Sequence, residues 1–147
     1  MMEGLLKLMD DDSLYEFSCR AVKRMLHNEI AKNVIPLNTL KDLSKLIRAR
    51  QDWLAGNIEE VDLLRAQKEA EKIAQTSLDV PYLENYEGSR LFWLVVDVCT
   101  EKEHENLSLE IAHKTVLVAQ KLGVEVRDIC RRLIALPYKE YMSRLGS

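Results

Sequence analysis

Apolar residues return every three or four positions along most of this chain, a spacing that suits the α-helix and not the strand. In "LYEFSCRAVKRMLHNEI" the set Leu14, Phe17, Ala21 and Met25 marks one face, with Val22 and Leu26 beside it. "LKDLSKLIRARQDWLA" repeats the pattern with Leu40, Leu43, Leu46 or Ile47, and Leu54. "IEEVDLLRAQKEAEKIAQTSL" does so with Leu63, Ala66, Ala70 and Ile73. With 5 Gly and 3 Pro in 147 residues, the chain is short of the turn residues that an all-β fold needs. The expected fold class is therefore all-α. One domain is expected over residues 1–145, a bundle of five to six main helices with short loops, and Gly146 and Ser147 read as an appended tail.

Local punctuation sets the helix boundaries. Ser13 followed by Glu16 reads as a capping box for the first main helix. Asn38 or Thr39 is expected to cap the second helix and Gly56 to end it, after which Asn57 and Glu60 open the third. "DVPYLENYEGS" reads as a loop, and Ser89 as the cap of "RLFWLVVDVCTEKEH". Six consecutive apolar residues there would also suit a buried strand, but the length and the helical neighbours favour a central helix. "SLEIAHKTVLVAQKL" stops at Gly123, and "EVRDICRRLIAL" stops near Pro137. Trp53 and Trp93, beside Leu54 and Leu94, are assigned to the core, and His27 to an exposed helix end.

The three cysteines, Cys19, Cys99 and Cys130, are odd in number, far apart and form no C-x-x-C pair. Neither a disulfide framework nor a zinc knuckle is expected, and a reduced cytoplasmic setting is the simplest reading. The longest apolar run, residues 91–96, cannot span a bilayer, and "MMEGLLKLMDDDS" is too broken by Lys7 for a signal peptide. The net charge of −3 is unevenly spread: residues 114–147 carry seven Lys/Arg against three Asp/Glu, so the first 113 sum to −7.

The spacing Glu-x-x-His occurs twice, in Glu101 with His104 and in Glu110 with His113. In di-iron bundles this spacing aims a carboxylate and an imidazole at a shared metal pair. Here, however, the four residues flank one loop, whereas such sites draw ligands from four helices at mid-bundle. A solvated or structural role is the simpler reading of these four. Asp97 interrupts an apolar run and needs a charged or hydrogen-bonded partner. It shares a helical stripe with Arg90, Glu101 and His104. No Gly-rich phosphate loop, G-x-S-x-G or H-E-x-x-H is present. No catalytic set and no cofactor are expected.

"TVLVAQKLGVEVRDICRRLI", residues 115–134, has the marks of a helix-turn-helix. Ala119 sits at the inter-helix contact, Gly123 at the turn, and Val124 and Ile129 at apolar anchors. Arg127, Arg131 and Arg132 would then face the major groove. Any two helices packed across a Gly cap give the same pattern, and Val126 and Asp128 suit DNA poorly.

The order "CRAVKRML", "RARQDWLAGNI", "LLRAQKEAEKIA" resembles a predicted all-helical immunity-protein family of bacterial polymorphic-toxin systems. Trp53, Gly56 and Glu59–Glu60 match its helix end and the acidic start of its next helix. Arg90, Thr100, His104, His113 and Leu136–Pro137 match later positions, while "RLFWLVVDVC" is bulkier than the Ala- and Gly-rich family pattern. The resemblance implies a small cytoplasmic, non-catalytic module that binds and neutralises a cognate toxin or other basic protein. The polar stripe Asp97, Glu101, His104 and Glu110 is the expected contact patch. A nucleic-acid-binding regulator using residues 115–134 is the alternative, and a metal-binding bundle built on Glu101, His104, Glu110 and His113 comes third.

Overall fold

In a computed structural model, residues 2–28, 31–32, 35–77, 87–99 and 106–134 are described, and all regular structure among them is helical. In chain order the helices are α1 (Met2–Leu6), α2 (Asp11–Leu26), α3 (Leu37–Leu54), α4 (Glu60–Ser77), α5 (Glu87–Val98), α6 (Leu107–Leu122) and α7 (127–134). They outnumber the five to six expected, mainly because the short α1 precedes the first predicted helix.

Helix α2 is the hub. It packs against α6, α3 and α5, while α4 closes on α3 and α5, and α1 rests on α6. Its apolar face holds Leu14, Phe17, Ala21, Val22, Met25 and Leu26, all buried, at the predicted spacing. One continuous hydrophobic cluster draws residues from each of these described helices, from Leu6 on α1 to Leu133 on α7. None of the helices among the described residues is long and apolar enough to cross a membrane.

The helix caps depart from the sequence reading. Asp10, not Ser13, is the N-cap of α2, and its Oδ1 accepts the Ser13 N–H at 2.8 Å. Ser13 thus stands at the third helical position, as donor and not as cap. Helix α3 starts one residue before Asn38, behind Pro36, which offers no side-chain bond. The Glu59 N–H donates to Asp62 Oδ2 at 3.2 Å, so the start of α4 is tied by Asp62 and not by Asn57. Helix α5 begins at Glu87, two residues before the expected cap Ser89.

Two glycine stops stand where they were expected. Gly56 has φ +78° and donates to the Trp53 carbonyl at 3.0 Å, and Asn57 donates to Asp52 at 2.8 Å. That pair of bonds is a Schellman closure, which needs the left-handed conformation that Gly adopts without strain. Gly123, at φ +70°, ends α6 in the same way.

Polar ties fix α7 and α3 to the hub. Arg24, in the last turn of α2, forks onto Asp128 with bonds of 2.6 and 2.9 Å, and also donates to the Glu125 carbonyl at 2.7 Å. On α3, Gln51 accepts from Lys23 and donates to Glu16 at 3.0 Å.

Candidate functional site

Helices α5 and α6 lie side by side and present a shallow groove of about 250 Å³. One wall is the α5 stripe Arg90, Trp93 and Asp97, spaced three and four residues apart. The other is the α6 stripe Lys114, Leu117 and Val118. Trp93 is 36% exposed and Leu117 is 58% exposed. The assignment of Trp93 to the core is therefore corrected. Between Arg90 and Asp97 its position falls on the polar stripe, while Leu91, Phe92, Leu94 and Val95 fill the core.

Asp97 does find a partner. Lys114 Nζ lies 3.7 Å from its Oδ2 across the groove. Burial nonetheless pushes the Asp97 carboxyl above its usual range, against the opposing pull of Lys114. A carboxyl whose folded pKa exceeds its unfolded value favours folding below the unfolded pKa, and that contribution is lost as pH rises through the folded one. Asp97→Asn is therefore expected to be at least as stable as the parent at neutral pH. The parent should gain on the variant as pH falls through the acidic range, which thermal melts across pH 3–8 would show.

The remaining residues of the expected patch divide. Glu110 is exposed on α6, one turn before Lys114 on the same stripe, but does not line the groove. Glu101 and His104 lie outside the described residues. Of the metal set, Glu110 and half-buried His113 share α6. No three His, Cys, Asp or Glu gather to hold a metal among the described residues.

Helix α7 carries the residues of the helix-turn-helix reading. Arg131 and Arg132 are exposed, whereas Arg127 is half-buried with its Nε buried and unbonded. Val126, Ile129, Cys130 and Leu133 are buried in the hydrophobic cluster. The first turn of α7, where such a motif reads bases, holds Asp128 tied to Arg24, with Glu125 just before it. The Arg24 guanidinium holds the Asp128 carboxyl below its usual range, so it stays charged.

A larger cavity of about 430 Å³ opens beside α3. Its dominant feature is Arg50, only 1% exposed. The guanidinium lies over the Tyr15 ring at 3.8 Å from the centroid and over the Trp53 ring at 4.6 Å. At the cavity mouth Ser108 Oγ donates to Asp11 Oδ1 at 2.6 Å, joining the N-terminal turns of α6 and α2. Trp53 is thus half-buried as one leaf of an arginine stack, and not a plain core residue.

The three cysteines are free and buried. Burial pushes the Cys99 thiol up to about 12 and Cys130 up to about 11, and raises Cys19 as well. Thiols held protonated at neutral pH are poor nucleophiles. Cys99 instead donates to the Leu46 carbonyl at 3.3 Å and helps dock α5 on α3.

No family model, curated protein or solved structure matches this chain.

Proposed function

We propose that this chain is a non-catalytic protein-binding module of the immunity kind, which neutralises a cognate toxin or another basic protein by covering part of its surface. The observation that carries this reading is the α5–α6 groove, where Trp93 and Leu117 are exposed side by side between charged neighbours. Exposed aromatic anchors inside a polar rim are the feature that supplies binding energy at protein interfaces. Asp97 lines that groove, and Glu110 is exposed one turn before Lys114 on α6. The acidic balance of the first 113 residues adds long-range attraction for a cationic partner.

The helix-turn-helix alternative draws support from the exposure of Arg131 and Arg132. Glu125 and Asp128 at the start of the same helix put negative charge where phosphates would approach. The metal-binding reading keeps only Glu110 and His113 on a described helix.

Affinity capture from the native host's lysate, run with and without nuclease, separates these readings. One protein recovered near one-to-one in both samples is the expected result. Recovery of DNA, with the associated proteins lost after nuclease, would place Arg127, Arg131 and Arg132 in front and end the immunity reading.

A further inference from the structure

A second groove, of about 500 Å³, runs between the end of α2 and the start of α3. Leu26 and Leu40 form a buried floor, and Leu37 stands at the lip, 65% exposed. Around them are His27, Lys32, Lys41 and Lys45, with no carboxylate among the described residues of the lining. Asp42 is exposed on α3 but does not line the groove. Lys41 and Lys45 are one helical turn apart, so both ammonium groups follow one edge. On a chain of net charge −3 this is a local field of the opposite sign.

We propose that this groove binds an acidic amphipathic helix of a partner protein. The apolar stripe of that helix seats on Leu26, Leu37 and Leu40, and its carboxylates pair with Lys32, Lys41 and Lys45. Charge complementarity selects the acidic flanks, and the apolar floor selects a helix with a hydrophobic face. A nucleic-acid backbone would use the lysines and leave the floor bare. An anionic bilayer is disfavoured because the chain as a whole, at net charge −3, is repelled by negative lipid. The proposal goes beyond the α5–α6 reading and uses none of its residues.

The test titrates the full chain into a fluorescent synthetic helix with Leu at i, i+3, i+4 and i+7 and Glu along both flanks. Saturable binding is expected, weakened about tenfold or more by the double variant Lys41→Glu, Lys45→Glu and by Leu37→Ser. A Lys-flanked version of the helix should recover binding to the double variant. All three side chains are exposed, so each variant is expected to fold, which circular dichroism would check. No binding, binding indifferent to these substitutions, or a preference for phosphatidylserine vesicles over the helix would each overturn the proposal. Trp93→Ala, which removes the α5–α6 anchor, should leave binding of the acidic helix unchanged, so the two readings fail separately; a loss of helix binding in that variant would overturn this inference.

Discussion

Arg50→Ala should lower the stability of the fold by about 3 kcal/mol or more, the range of a large side chain truncated inside a packed core. In a chain of this size that is a fall in melting temperature of roughly 6–12 °C. Arg50 is the largest fully buried side chain among the described residues, and the change removes both its packing and its stacking on Tyr15 and Trp53. A desolvated cation over an aromatic face contributes about 2 kcal/mol by itself. Arg50→Lys separates charge from shape. Lysine keeps the positive charge but lacks the planar guanidinium that lies flat on two rings, so it should recover less than half of the loss. Denaturant unfolding of the three chains measures this order directly. Full recovery by Lys would mean that the charge, and not the stack, secures α3 to α2 at this point.

The second large effect concerns binding. Trp93→Ala should weaken the captured partner by about 30-fold or more, the cost of losing an aromatic anchor of about 2 kcal/mol. Adding Leu117→Ala should deepen the loss, mainly through faster dissociation. Both side chains are exposed in the free protein, so the melting temperature should change little. A variant that binds weakly yet melts normally isolates the interface from the fold. Unchanged affinity would remove the α5–α6 groove from the account.

The all-helical class was legible because periodicity is a repeated signal. On α2, Leu14, Phe17, Ala21 and Met25 point one way whichever residue begins the helix. Boundaries rest on single residues and were read less well. Asp10 preceded the Ser13 pattern by one turn and, through its bond to the Ser13 N–H, displaced it as cap. The Gly56 and Gly123 stops were legible because a left-handed residue at a helix end leaves few chemical choices.

Part of the site was also within reach. The break that Asp97 makes in an apolar run signalled a carboxylate in need of a partner, which Lys114 on α6 supplies, but Trp93 sits on the same stripe and was assigned to the core with its neighbour Leu94. Arg50 carried a comparable signal. It continues the series Leu40, Leu43, Ile47 at the next helical step, a core position held by a charge. The lysine-ringed groove was not legible, since Lys32 and Lys45 converge only once α3 packs against the end of α2. The spacing within one helix says nothing about which neighbour will close over it.

The most direct test of the binding account is hydrogen exchange on the chain alone and in complex with its captured partner. The account predicts new protection over residues 90–97 and 110–118, on the facing stripes of α5 and α6. Protection confined to residues 127–132, or appearing there on addition of duplex DNA alone, would contradict it.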